Sequence, residues 1–505
     1  MTVGQVLLVG AVALPAVGAL AVAGMPARLD RAARILGTVI AGAVLAVTAG
    51  LALGERTWFA YLDGSPVVRP WHEVDVVWAE SLDLAFHLGV DGISWPLVAL
   101  TALLTLLCCL YSLWTVPAPG RGRLLVALLL AIECGILGVF LSLDLVLFFV
   151  FFEVVLLPMY AVIAVWGGLD RRHAAVKFVL YTLAGSVLLV VGIFTVVAAA
   201  GTSDLVVLST QAGAGISHGT QVAAFVLLAL AFAVKSPLWP LHTWLPDAHT
   251  EAPTVGSVIL AGVLLKMGTY GLIRVAVGTV PDGARQLAPV LGVLAVAAIL
   301  VGSLVCLAQT ELKRLIAYSS VGHMGFVLLG IATLSATGLQ AALIGNIAHG
   351  VITGLLFFLA GAIKDRAHTG VLTSLGGLRD TSPLLAGLLG YAAIASLGLP
   401  GLAGFWGEAF AVYAAIDRGG ALWTTAGVLA AVGGALTAAY LLRLLRTVTH
   451  GPAAPAVTGL PRVTTVELIT WAPLVVLALL LGVVPGIVLD TTIAPVNALI
   501  EAVAP

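Results

Sequence analysis

Five ionisable side chains in this 505-residue chain interrupt long apolar runs. They are Glu153 in LVLFFVFFEVVLLPMY, Lys235 in LAFAVKSPLWP, Lys266 in ILAGVLLKMGTYG, Glu408 in GLAGFWGEAF, and Glu133 in LLLAIECGILG. A charge at the centre of a bilayer costs about 2.5–3.5 kcal/mol, so five facing lipid unpaired would cost on the order of 10 kcal/mol. They must therefore face the interior of a helix bundle, pair with one another, or reach water. Burial disfavours the charged form of both lysine and carboxylate, which brings the two close enough in proton affinity to exchange a proton. His242, His249, His323 and His349 lie in or beside apolar segments, and imidazole accepts on one nitrogen while donating on the other. Two readings follow: a set of static ion pairs, or a path for protons or ions. Two lysines with three carboxylates exceed what one packing pair requires, which favours the path. A metal site is not expected, because His242 and His249 stand seven apart with Pro246 between them.

These groups need a lipid-embedded scaffold. The composition is 61% hydrophobic and 9% charged, against roughly 25% charged in soluble domains. A formal net charge of −1 and the lack of a basic stripe exclude nucleic acid as a partner. Cys108, Cys109, Cys134 and Cys306 all lie in apolar runs and read as packing residues. Counting runs of about 20 apolar residues gives fourteen transmembrane helices, centred near residues 14, 44, 103, 133, 155, 187, 230, 264, 297, 324, 350, 400, 433 and 477. The first lacks a basic leader and reads as a span, not a signal peptide. The longest polar insert, Glu55 to His87, reads as an ordered extramembrane loop, with Trp58, Phe59, Tyr61 and Trp71 as interface anchors.

Sixteen of the 23 basic residues, Arg28, Arg121 and Arg443 among them, fall on one set of loops. Five (Arg56, Arg69, Arg274, Arg285 and Arg418) fall on the other, and the two left over are Lys235 and Lys266. The positive side is cytoplasmic, so both termini are expected outside the cytoplasm. Two spans are broken. Lys235 is followed by Pro237, Pro240 and Pro246, and Glu408 is preceded by Gly398, Pro400, Gly401 and Gly404. Interrupted segments at corresponding places in two halves point to inverted repeats, expected as helices 4–8 (121–280) and 9–13 (281–450). Helices 1–3 (1–120) precede them, and helix 14 with a tail (451–505) follows.

Several blocks resemble one family: FHLGVDGISWPLVALT (86–101), DLVLFFVFFEVVLLPMY (144–160), AAVKFVLYTLAGS (174–186), the stretch KSPLWPLHTWLPDAHTEAPTVGSVILAGVLLKMGTYGLIR (235–274), LKRLIAYSSVGHMGFV (312–327) and LGLPGLAGFWGE (397–408). It is the antiporter-like subunits of respiratory complex I (NADH-quinone oxidoreductase) and the related multisubunit sodium/proton antiporters. Within it, Glu408 at the twelfth-helix position, the short tail after the last span and LLLGVVPGIVLD (479–490) are similar to the M-type branch. The resemblance implies a proton-translocating subunit in which Glu153 modulates Lys235, while Lys266 with His242, His323 and His349 continues a central polar axis. Glu408 becomes the outlet-side group, and Glu133 has a less defined role. It implies no cofactor on this chain, with FMN, iron–sulfur clusters and quinone in other subunits. L-type and N-type neighbours, lipids and a bacterial plasma membrane complete the expectation. A multisubunit cation/proton antiporter or a membrane-bound hydrogenase is the alternative.

Overall fold

The computed structural model describes residues 1–53, 70–79 and 84–503. The expected anchors Trp58, Phe59 and Tyr61 lie outside them. Helices dominate, as an apolar chain in lipid requires: each backbone donor must be satisfied within its own segment. Among the described residues, thirteen helices are long and apolar enough to span a membrane, and the chain is a multi-pass membrane protein.

In chain order the helices are α1 (Val3–Gly24), α2 (Ala27–Ala52), α3 (Trp95–Tyr111), α4 (Gly122–Leu141), α5 (Leu145–Trp166) and α6 (Arg171–Ala200). Next comes α7, in two pieces (His218–Lys235 and Trp244–Glu251), then α8 (Thr254–Val277), α9 (Pro281–Ala308), α10 (Leu312–Ala332) and α11 (Ala336–Ala367). The broken α12 follows (Pro383–Ser396 and Gly404–Asp417), with α13 (Gly420–Thr449) and α14 (Thr465–Val483) after it. Each of the fourteen expected segments carries a helix.

Two features were not expected from the sequence. The charged insert ends in an antiparallel hairpin, β1 (His72–Ala79) on β2 (Leu84–Val90), with Glu73 opposite Gly89 and Asp75 opposite His87. The expected tail is a helix, α15 (Gly486–Val503). Its residues meet the ends of spans that share the predicted outer side. Thr491 Oγ1 donates to Gly92 O before α3, and Arg285, near the start of α9, donates to the Val503 carbonyl. By length and composition α15 is itself one of those thirteen helices.

Four helices form the centre. The whole apolar window of α8 is buried, as is 94% of α11's, 89% of α10's and 83% of α4's, against 33% for α6 and α13 at the rim. Lys266, His349, His323 and Glu133 ride on these central helices, away from lipid. The four cysteines are free and buried, as expected.

Candidate functional site

The break in α7 is built, not frayed. Lys235 ends the first piece, and Pro237 and Pro240 remove two backbone donors in the turn that follows. The Trp244 indole replaces one of them by donating to Val234 O (2.9 Å), and Ser236 Oγ donates to Phe232 O. Pro246 sits in the first turn of the second piece, where a missing N–H costs nothing. The Lys235 ammonium lies 4.7 Å from the centre of the Phe152 ring, and the residue is buried.

Helix α8 carries Lys266 between two π turns, Leu260–Leu264 and Leu272–Val277. Such turns widen a helix and cluster at functional positions. Here the ammonium reaches back to donate to Ala261 O (2.5 Å) and forward to donate to His349 Nδ1 on α11 (2.6 Å). A second tie between the two helices runs from Thr269 Oγ1 to Asn346 Oδ1 (2.9 Å). Gly268 packs against the end of the first α7 piece: a Cβ there would stand 2.8 Å from both Phe232 O and Ser236 N, and 3.1 Å from Lys235 Cβ. The two lysine-bearing elements are thus in backbone contact.

The His349 and His323 rings lie edge to face, with centroids 5.8 Å apart. His323 Nδ1 is 2.7 Å from Glu408 Oε1, and His323 Nε2 is 2.9 Å from Ser396 Oγ. With Glu408 ionised, Nδ1–H donates to the carboxylate and Nε2 accepts from the serine hydroxyl. Both partners come from the α12 break: Ser396 closes its first piece and Glu408 stands just inside its second. Gly398 (φ +71°) and Gly401 (φ +89°) make the left-handed turns between them. Two donors at the break reach α14, with Ala403 N–H donating to Ala478 O and the Trp406 indole to Gly482 O, each 2.9 Å. Gly407 touches Gly345 of α11 so closely that a Cβ would meet its Cα at 2.6 Å. A cavity of about 30 Å³ lined by His323, His349, Thr353, Ser396 and Glu408 joins these groups, enough for a water or two.

Other expected residues stand apart. Glu153 and Lys235 form no salt bridge. Glu153 accepts a hydrogen bond from Ser186 of α6 and lies within electrostatic reach of Lys235, whose ammonium sits over Phe152. Glu133 is fully enclosed and neither of its oxygens is hydrogen-bonded within the chain. His242 faces the Tyr318 ring at 6.2 Å, its Nδ1 unbonded.

The transmembrane model of the NADH:quinone oxidoreductase/Mrp antiporter family matches residues 142–433. The chain belongs to that family. The match spans the candidate groups from Glu153 to Glu408 and leaves out Glu133. Among curated relatives, NADH-quinone oxidoreductase subunit M of Rhodobacter capsulatus is 42% identical over 422 residues, 81% of each chain. An NAD(P)H-quinone oxidoreductase chain 4 of a Synechococcus species is 44% identical over 383 residues, covering 75% of this chain and 72% of that one. Among solved structures, a chain of respiratory complex I from Thermus thermophilus with bound NADH superposes with a TM-score of 0.84 at 30% identity, covering 98% of this chain and 99% of its own. A chain of the Mrp complex from a Dietzia species reaches the same TM-score at 23% identity, over 100% of both chains, and shows the shared fold.

His249, the fourth of the histidines beside apolar segments, stands outside these bonds. It is fully enclosed, with neither ring nitrogen bonded, and stacks on Phe357 at 4.7 Å. Lys266 and Lys313 both lie within electrostatic reach of it. On the predicted cytoplasmic side, a cavity of about 380 Å³ is lined by Trp166, Glu251, Lys313, Lys364 and Asp365.

Proposed function

We propose that this chain is the M-type, proton-translocating subunit of the membrane arm of an NADH-quinone oxidoreductase. It couples quinone reduction by NADH to proton transport through its buried axis. Its relatives at about 40% identity carry that subunit's name, and the observation that carries the mechanism is the line from Lys266, bonded to His349, across a 5.8 Å ring contact to His323, bonded to Glu408.

In this reading a protonated Lys266 hands a proton to His349 Nδ1. The His349 Nε2 face then delivers it, through the shared cavity, to His323 and Glu408, the outlet-side group. Glu153, Lys235 and His242 form the first-half counterpart, in which Glu153 acts on Lys235 across the Phe152 ring by charge alone. Glu133 sits behind them. His249 stands between the cytoplasmic-side cavity and Lys266. Redox chemistry, with FMN, iron–sulfur clusters and quinone, belongs to other subunits, and energy arrives here as electrostatic and conformational change. The neighbours are L-type and N-type subunits and lipid, in a bacterial plasma membrane, with both termini outside the cytoplasm. The two halves, 121–280 and 281–450, act as inverted repeats, flanked by 1–120 and 451–505.

The test is Lys235→Ala in membrane vesicles carrying the whole complex. The expected result is loss of most NADH-driven proton uptake together with slowed quinone reduction. Wild-type uptake would remove the lysine from the path.

A further inference from the structure

The second piece of α7 is strapped by charges that the proton axis does not use. Asp247, in its first turn, accepts from Lys177 of α6 (2.7 Å) and pairs with Arg314 of α10 (3.2 Å). Beside it, Tyr181 of α6 and Thr243 share a hydrogen bond of 2.7 Å between their hydroxyls. At the other end of the piece, Lys313 of α10 donates to Ala252 O (2.9 Å), at the negative pole of the helix. Lys313, one of the sixteen basic residues expected on the cytoplasmic loops, is only 4% exposed.

We propose that Asp247 is a positioning residue, which sets where the His242–His249 segment stands by holding it between α6 and α10. The inference rests on the proton-axis reading above. One exposed ion pair is worth little. This carboxylate differs in being 19% exposed, held by two cations at once, and placed at a helix N-terminus, which favours an anion. Its cations come from different halves of the chain, one from α6 and one from α10. A relative displacement of those helices therefore acts directly on the segment that stands between Lys235 and Lys266. Asp247 touches no proton-carrying group itself. Its effect is on the spacing across which His242 and His249 work, and proton transfer falls steeply with misplacement.

The experiment uses the assembled complex in vesicles and reads protons moved per NADH oxidised. NADH oxidation by a water-soluble acceptor reports assembly. Asp247→Asn is expected to lower the ratio roughly two- to tenfold at unchanged assembly, and Asp247→Glu to restore most of it. Lys177→Gln and Arg314→Gln each lower it partly, and the two together do no more than Asp247→Asn. A wild-type ratio in Asp247→Asn overturns the inference. If that variant does not assemble, wild-type ratios in both glutamine variants overturn it equally. Lys266→Ala, run alongside, separates the two levels. If it pumps normally, the axis itself is wrong; if it is silent while the Asp247 variants pump normally, only the positioning role fails.

Discussion

The Lys266 ammonium stands 2.6 Å from His349 Nδ1 and 2.5 Å from Ala261 O, so one buried cation is shared between its own helix and its neighbour. The carbonyl lies in a π turn of α8, and the imidazole is fixed on α11. A lysine held this way has one bond it keeps and one along which it can pass a proton.

The next link down the line is testable by coupling. His323 and Glu408 share a 2.7 Å bond. His323→Ala and Glu408→Gln should each cut proton transport by about a hundredfold or more, the lower range for loss of a proton-transfer group. The double variant should be no worse than the more damaged single one. Additive losses in NADH-driven vesicle acidification would show that the two groups act separately.

Backbone contact between α11 and α12 positions that carboxylate. At Gly407 a Cβ would meet Gly345 Cα at 2.6 Å, and neither backbone can yield locally. Gly407→Ala should destabilise the site by about 1–3 kcal/mol, as overpacking does, and lower transport. Gly434→Ala on α13, where a Cβ meets open space, should change neither thermal stability nor transport. Equal behaviour of the two variants would remove the packing argument.

The hairpin carries a pH dependence of its own. His87 on β2 is hydrogen-bonded to Glu73 Oε1 (2.7 Å) and forms an ion pair with Asp204 Oδ2 (2.9 Å). Burial pulls its pKa down, but the two carboxylates outweigh that and hold it at about 9, above the ordinary 6.5. A raised value stabilises the docked hairpin fully below about 6.5, and that contribution is lost as pH rises to about 9. After correction for intrinsic exchange, amide exchange in His72–Ala79 should therefore speed up, by at most about tenfold per pH unit across that window. His87→Gln should abolish the trend. Exchange that stays flat with pH in the unsubstituted chain would show that His87 does not hold the hairpin.

What could be read in advance followed from the solvent. In lipid a lysine, a glutamate or a run of prolines is anomalous wherever it falls, so Lys235, Lys266, Glu408 and both broken helices stood out without any contact being known. The partners did not, because they depend on how helices rotate against each other. That Glu153 bonds Ser186 of α6 could not be read from its apolar run. The π turns around Lys266 left no mark, since Leu260–Leu264 reads as any apolar helix. His249 was legible as one of four histidines beside apolar segments, but the unbonded state of both its nitrogens was not. The strand His72–Ala79 was hidden in a charged insert, and α15, only 18 residues long with Pro495 inside, read as a tail.

The most direct measurement is the number of protons moved per NADH oxidised by the reconstituted complex bearing Lys266→Ala. The account predicts a ratio well below the unsubstituted complex in a fully assembled enzyme, because His349 then has no donor. An unchanged ratio would mean that protons do not travel through the Lys266–His349 bond.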